Sequence, residues 1–406
     1  MMTKASNPET QFHTLKLANV NPLTDDSIML TFDVPEHLKP HYQFVPGQYL
    51  TLRARIDGKL VSRCYSICSP QGEEHLSVAI RKISDGQFSG YAVENLAAND
   101  ELEVMPPMGR FQLVPHAPKA DYAPCYVGVA GGSGITPIMS MINTVLKNEQ
   151  DSKFVLFYAN RSPDTMMFRD KLEALKAEYP ERFFLLPFFS EDPSQQLTIH
   201  FAIADSLDGM IHSIDGTRSA KQTTEIRTLL SDIPDLTEAS HWYLCGPQGM
   251  TDMVQNILLD NDVDESRIQR ELFTAAVSES SAAAGSSAAA GLKGASKSKP
   301  EGTTASATSS SAGATQISVI HNGQSVDFDW DDSNEVILNQ ALKQNEDLPH
   351  ACQFGACGTC KAKVIEGSAV MNENMSLEAD EVEQGYILTC QAVPTSERVV
   401  ISYDDI

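Results

Sequence analysis

Between Val277 and Ala314 the chain carries 11 Ala, 11 Ser, 5 Gly and 3 Thr in 38 residues, and its only sizeable apolar side chains are Val277 and Leu292. Such a segment has almost nothing to bury, so no hydrophobic gain offsets the entropy of ordering it. As a flexible coil it would span about 30 to 37 Å root-mean-square. The chain must therefore fold as separate units, with the residues beyond Ala314 forming a tethered, mobile module. Its 406 residues suit two or three domains, and 42% hydrophobic residues suffice for sizeable cores. No internal repeat is visible.

Charge divides at the same place. From Gln316 to Ile406 there are 16 Asp plus Glu against 4 Lys plus Arg, a balance of −12 and half of the formal −24 of the whole chain. That excess argues against nucleic acid and against an anionic membrane as partner, and favours a basic or neutral protein surface. Cys64, Cys68, Cys125 and Cys245 are scattered, whereas Cys352, Cys357, Cys360 and Cys390 crowd the acidic end. A disulfide scaffold would be shorter and denser in cysteine, so a reducing, cytoplasmic compartment is expected. The polar start, Met1 to Thr14, lacks the apolar core of a secretory signal. Tyr122 to Leu146 is uncharged for 25 residues, yet its four glycines and two prolines suit a strand, a Gly-rich loop and a helix better than a membrane span.

Two rhythms precede the Ala/Ser/Gly stretch. Residues 11–115 show short alternating or β-branched runs, such as His13 to Leu17, Ser27 to Phe32, Tyr49 to Arg53 and Leu76 to Ile80. Turns at Pro46-Gly47, Asp57-Gly58 and Asp85-Gly86 separate them, as in an antiparallel barrel or sandwich. Over residues 116–276 apolar strands alternate with helical stretches. Strands are predicted at Tyr126–Ala130, Phe154–Tyr158, Phe183–Phe189 and Trp242–Cys245, with helices at Ile138–Leu146, Met167–Tyr179 and Met250–Leu259. That alternation predicts a doubly wound α/β sheet. Residues 277–315 then form the linker and 316–406 a last, small domain.

Within that last domain Cys352, Cys357, Cys360 and, 29 residues on, Cys390 follow the spacing of a plant-type 2Fe-2S centre, with Gly355 and Gly358 letting the loop fold around a bulky cluster. Zinc is the alternative for any four-cysteine set, although zinc sites usually present two close pairs and only one pair is close here. Arg63-Cys64-Tyr65-Ser66 places a guanidinium, a ring and a hydroxyl on one strand, a combination suited to a planar ligand that bears phosphate. As an isolated string it reads more often as ordinary strand. Gly131 to Pro137 follows an apolar strand and leads into a helix, so its amides and positive dipole end could hold a pyrophosphate. A second turn, Gly246-Pro247, follows Cys245 on a later strand. Cys245 as a buried structural thiol remains the bland alternative. No paired-histidine metal motif, nucleophile elbow or Walker loop is present.

The segment Asp347 to Cys360 resembles the cluster loop of plant-type ferredoxins, which implies a β-grasp α+β domain and Cys352, Cys357, Cys360 and Cys390 as iron ligands. Arg63 to Ser66, Ile80-Arg81 and Gly86-Gln87-Phe88-Ser89 together resemble the flavin domain of the ferredoxin-NADP reductase family. The resemblance implies Arg63 on the flavin phosphates, Tyr65 against the isoalloxazine, Ser66 near its reactive nitrogen, and Ile80, Arg81 and Gly86 to Ser89 around a pyrophosphate, hence FAD rather than FMN. Gly132, Ser133, Gly134, Thr136, Cys245, Gly246 and Pro247 resemble the nicotinamide side of the same family, with Thr136 and Cys245 close to the nicotinamide ring. On the residues alone, Arg161 and Arg169 favour the 2′-phosphate of NADPH over NADH, although Asp164 and Asp170 lie nearby.

The domain order resembles the reductases of bacterial multicomponent oxygenases, phenylacetyl-CoA epoxidase systems above all. This implies an NADPH-dependent flavin and iron-sulfur oxidoreductase that passes electrons through FAD and a 2Fe-2S cluster to an oxygenase, in phenylacetate catabolism. Ser66 and Cys245 are then the residues nearest the chemistry. Other acceptors, such as a haem oxygenase, a hybrid-cluster protein or a small oxidant, stay open, as does a zinc-bound interaction domain in place of the cluster.

Overall fold

Period-two alternation in the first hundred residues builds six strands: β1 (His13–Thr24), β2 (Ser27–Asp33), β3 (Tyr49–Ile56), β4 (Lys59–Ser66), β5 (Leu76–Arg81) and β6 (Glu101–Met108). The structure is a computed structural model that describes residues 11–115, 124–191, 239–272, 315–331 and 335–405, with the single positions Ile203 and Leu236. Of the expected linker, 277–314 lies outside the described residues. The six strands run β4-β3-β6-β1-β2-β5, every pair antiparallel. An Ile67–Val78 bridge joins the two ends, so the sheet closes as a barrel rather than opening into a sandwich. Leu15, Leu30, Phe32, Leu50, Leu52 and Val78 fill it without solvent exposure, and α1 (Gln87–Asn95) plugs it with Phe88 and Ala92.

The second unit alternates as its apolar runs require: β7 (Cys125–Gly131), α2 (Ile135–Asn148), β8 (Lys153–Asn160), α3 (Arg169–Glu178), β9 (Phe183–Phe189), β10 (His241–Gly246), α4 (Gln248–Asp260) and β11 (Ile268–Leu272). The sheet is entirely parallel in the order β11-β10-β7-β8-β9. Both faces are covered, which is why its strands read as continuous apolar runs. All three helix starts differ from the sequence reading, and α4 begins two residues early, at Gln248 directly after Pro247. α2 begins three residues early, since Pro137 is tolerated in a first turn. α3 begins two residues late, because Phe168 is left-handed, with φ 59°, and cannot be part of the helix. The uncharged run at 122–146 resolves into β7 and α2, and no helix among the described residues is long and apolar enough to cross a membrane.

The third unit holds β12 (Thr315–His321), β13 (Gln324–Trp330), α5 (Ile337–Leu342), β14 (Lys361–Glu366), β15 (Ala369–Met371), α6 (Ala379–Glu383), β16 (Tyr386–Leu388), β17 (Ala392–Pro394) and β18 (Arg398–Ser402). Its mixed sheet runs β13-β12-β18-β14-β16, with β12 and β18 parallel, and β15 pairs with β17 apart from it. Ile317, Ile337, Leu338, Leu388, Val399 and Ile401 form its own core.

The barrel and the parallel sheet share apolar packing. Cys68, Ala79, Phe111 and Leu113 of the barrel side join the cluster around α2 and Tyr243, and the Phe111 and Tyr243 rings meet edge-on at 5.8 Å. The third unit instead meets the barrel through polar groups on the outer face of β3 and β4.

Candidate functional site

Chain order fixes where a ligand can enter the parallel sheet. From β7 the chain winds outward to β8 and β9, then returns to the other side of β7 as β10 and β11. The switch point thus lies between the C-terminal ends of β7 and β10, the usual crevice for a dinucleotide in such sheets. The backbones there are pressed together. A Cβ on Gly134 would lie 2.2 Å from the Cys245 carbonyl oxygen, and one on Gly246 only 2.9 Å from the Gly131 nitrogen. Gly132 and Ser133 line the turn, half-exposed; Thr136 is buried and its hydroxyl donates to the Ser133 carbonyl at 3.1 Å; Pro247 is exposed at the rim. These residues fit a pyrophosphate and ring that require close backbone approach.

Cys245 is fully buried in β10, and the register pairs it with Glu271 of β11. The Ser66 hydroxyl at the end of β4 donates to Glu271 Oε2 at 3.4 Å, and the Cys245 thiol reaches the same oxygen at 3.9 Å. Burial pushes the Glu271 carboxyl up to about 8, against the downward pull of those two donors, so it is neutral through most of the ordinary pH range. Burial, then the Glu271 carboxyl, pushes the Cys245 thiol well above its ordinary range. The two expected residues, Ser66 and Cys245, are therefore brought together by a third that sequence reasoning missed. The available signal was an acid at the fourth position of the short run Ile268-Gln-Arg-Glu-Leu272, directly before the low-complexity stretch.

The residues expected around a flavin divide. Arg63 donates to the Ser62 carbonyl at 2.8 Å and makes no ion pair among the described residues, which leaves most of its guanidinium available to an anion. Tyr65 packs its ring on Phe88 at 5.6 Å. Phe88 and Ile80 are core residues, so Ile80 can offer a ligand only backbone. Arg81 is held by Asp26 at 3.2 Å and by the Thr165 carbonyl, bridging barrel and parallel sheet. Gly86 caps α1, Gln87 is exposed, and Ser89 is buried with its hydroxyl donating to the Gly86 carbonyl at 3.3 Å. Arg161, after β8, and Arg169, at the start of α3, are exposed and make no ion pair among the described residues.

The cluster loop runs from α5 to β14, and Gln353, Gly355 and Gly358 turn it through left-handed backbone with φ of 62°, 84° and 71°. Cys360 immediately precedes β14 and Cys390 follows β16; both are buried, whereas Cys352 and Cys357 are half-exposed. Cys352 lies against Cys357 and Cys390, and Cys360 against Cys390, so the four thiols form one connected array. The Cys357 amide points at the Cys352 sulfur at 3.4 Å. Among the described residues no set of three His, Cys, Asp or Glu forms a cage for a single ion. Four cysteine sulfurs, three on one loop and the fourth just after β16, with an amide already aimed at sulfur, fit the donor set of a 2Fe-2S centre.

That loop rests on the barrel. Tyr49 donates to the Cys357 carbonyl, and Thr51 meets Thr359 at 3.2 Å. Arg53, buried and stacked over the Phe12 ring at 3.8 Å, joins Glu103 of the barrel at 2.9 Å to Asp347 at 2.6 Å. Arg55 pairs with Glu346 at 2.6 Å, and Arg110 pairs with both Glu378 and Glu381. Within this chain, three arginines of the barrel side thus face the acidic domain.

Residues 14–113 match the oxidoreductase FAD-binding domain, residues 129–256 the oxidoreductase NAD-binding domain and residues 319–395 the 2Fe-2S iron-sulfur cluster binding domain. A subunit of 1,2-phenylacetyl-CoA epoxidase from Escherichia coli (strain K12) is 34% identical over 395 residues, covering 97% of this chain and 98% of that one. The ferredoxin reductase component of 3-ketosteroid-9-alpha-monooxygenase from Rhodococcus rhodochrous is 28% identical over 382 residues, or 94% and 93% of the two chains. Phthalate dioxygenase reductase, described as a modular structure for electron transfer from pyridine nucleotides to [2Fe-2S], has the same fold with a TM-score of 0.52 at 22% identity, over 96% of this chain and 98% of that one.

Proposed function

Since this chain belongs to the oxidoreductase family that joins FAD-binding, NAD-binding and 2Fe-2S domains, and is related along its length to a component of phenylacetyl-CoA epoxidase, we propose that it is the reductase of an oxygenase, draws on NADPH, and serves an epoxidase of phenylacetyl-CoA. One observation carries the reading. The outer face of the β3–β4 pair meets Glu271 through Ser66 at one end and the cluster loop through Cys64, Thr51 and Tyr49. Cys64 and Ser66 are two residues apart on one strand, about 7 Å. A hydride-accepting site and a one-electron carrier are thus served by a single stretch of strand.

FAD supplies hydride acceptance and the cluster one-electron transfer when bound. The chain supplies the rest. Arg63 is placed to bind an anion, Tyr65 to stack on a planar group, and the Gly131–Gly134 turn to hold a pyrophosphate. Glu271 holds a proton on its carboxyl beside Ser66 and Cys245, which keeps that corner uncharged where a nicotinamide would enter. Cys245, held as a neutral thiol, presents a polarisable wall there instead of a nucleophile. Arg161 and Arg169 support NADPH, because two exposed guanidinium groups follow the strand whose end would carry the adenosine ribose.

The visible spectrum should combine flavin bands with broad 2Fe-2S absorption; flavin without iron would leave the reading without its carrier. Cys357→Ser is expected to abolish electron delivery to the oxygenase while NADPH still reduces the flavin, and delivery that survives would remove the cluster from the path. Arg161→Ala should raise KM for NADPH roughly ten- to a hundredfold, as for a lost charged hydrogen bond, and leave KM for NADH nearly unchanged. Phenylacetyl-CoA-dependent NADPH oxidation with the oxygenase component of the epoxidase tests the acceptor.

A further inference from the structure

The contact between barrel and cluster loop contains a small hydrogen-bonded relay that docking alone assembles. Thr359 Oγ1 lies 3.2 Å from Cys357 Sγ, 3.2 Å from Thr51 Oγ1 and 3.7 Å from Cys64 Sγ, and Thr51 and Cys64 are themselves 3.5 Å apart across β3 and β4. Cys64 Sγ also lies against Cys357 Sγ. A Cys357 bound to iron carries no proton. The Thr359 hydroxyl must then donate to the Cys357 sulfur, and Thr51 and Cys64 become the donors that saturate Thr359 and Cys357 from outside the domain.

Resting on the assignment of Cys357 as an iron ligand, we propose that Thr51 and Cys64 are positioning residues that raise the cluster's reduction potential only while the third domain sits on the barrel. The warrant is charge. Accepting one electron, delivered from the NAD(P)H-reduced flavin with no bond made or broken, places added negative charge on the cluster and its sulfur ligands, and donors aimed at sulfur stabilise that reduced form. Docking therefore makes the cluster easier to load, and leaving the barrel makes it a stronger donor. Reciprocity follows: the reduced domain holds the barrel more tightly than the oxidised one by the same factor, about 59 mV of shift for each tenfold. An acceptor must outcompete that grip with a basic surface of its own.

The experiment is a redox titration of the full-length holoprotein, following the cluster by electron paramagnetic resonance and the flavin by absorbance. At low salt Cys64→Ala and Thr51→Val should shift the cluster's midpoint downward, and Cys64→Ser, which keeps a donor, should stay near the parent value. The shift should vanish at high salt, or in an Arg55→Glu/Arg110→Glu background, where the domain leaves the barrel. Thr359→Val, inside the domain, should lower the midpoint at both salt concentrations. No shift at low salt, a Cys64→Ala shift that persists at high salt, or an equal shift of the flavin potential would each overturn the inference. A preparation with no iron-sulfur signal would instead sink the cluster assignment beneath it, a result distinguishable from the others.

Discussion

The barrel has two neighbours and holds them by opposite means. Against the parallel sheet it offers Phe111, Leu113, Cys68 and Ala79, which share one apolar cluster with α2 and Tyr243. Against the cluster-bearing domain it offers arginines, tyrosine and threonine, matched by Asp347, Glu346, Glu378, Glu381 and the loop backbone. Buried apolar contact does not weaken with salt and cannot open without exposing surface to water. Apart from the buried Arg53, the ion pairs of the second junction join partly exposed side chains, which give little net stability but guide approach and register. The first junction fixes the buried Cys245 and its surroundings in one geometry, whereas the second is a polar contact that salt can loosen.

The comparison breaks most decisively at Phe111. Truncation to alanine is expected to destabilise the barrel and parallel sheet together by about 3 to 5 kcal/mol, seen as one shifted thermal transition in both low and high salt; two separate transitions would mean that the junction is looser than its packing.

An effect of comparable size comes from pH. Glu271 has a raised pKa in the folded chain, about 8 against an ordinary 4.5. Its contribution is therefore fully present below about pH 4.5 and is lost as pH rises through about 8. Relative to Glu271→Gln, wild-type apoprotein should lose thermal stability across that window. A difference curve flat with pH would show the carboxyl to be already ionised at the junction.

Smallest is the effect on the polar contact. Arg110→Glu should leave the unfolding midpoint nearly unchanged and slow transfer into the cluster by a factor of a few, measured by rapid mixing with NADPH, with much of the difference erased at about 1 M salt, where the screening length falls to about 3 Å. A salt-insensitive defect would mean that Arg110 acts through barrel packing.

The same contrast explains what is legible in the sequence. The barrel, the doubly wound sheet and the cluster loop announce themselves through patterns a few residues long, and Cys352, Cys357 and Cys360 sit together in the sequence as they do in space. Ser66 and Cys245 are readable because each ends a strand with a distinctive neighbour. Glu271 is not, because its meaning lies in a register with Cys245, 26 positions earlier, and a contact with Ser66, 205 positions earlier. Thr51, Thr359 and Arg53 are invisible for the same reason: nothing within reach of Arg53 along the chain announces Asp347, 294 residues away. The helix starts at Ile135 and Arg169 differ from their expected positions by two or three residues, at a proline and a left-handed phenylalanine respectively.

One pairing sets a timetable for biogenesis. β18, between β12 and β14, carries the centre of the third domain's sheet and comes after all four of that domain's cysteines. Residues 398–402 must leave the ribosome before β12, some eighty residues older, finds its parallel partner. The barrel has no such dependence, since its last strand ends at Met108. Domains fold as they emerge, so the barrel is complete while the thiols of the last domain are still on an unfinished sheet. Any cluster held by those cysteines is thereby housed in a finished sheet only after residues 398–402 have emerged, in a chain that already carries its own docking platform.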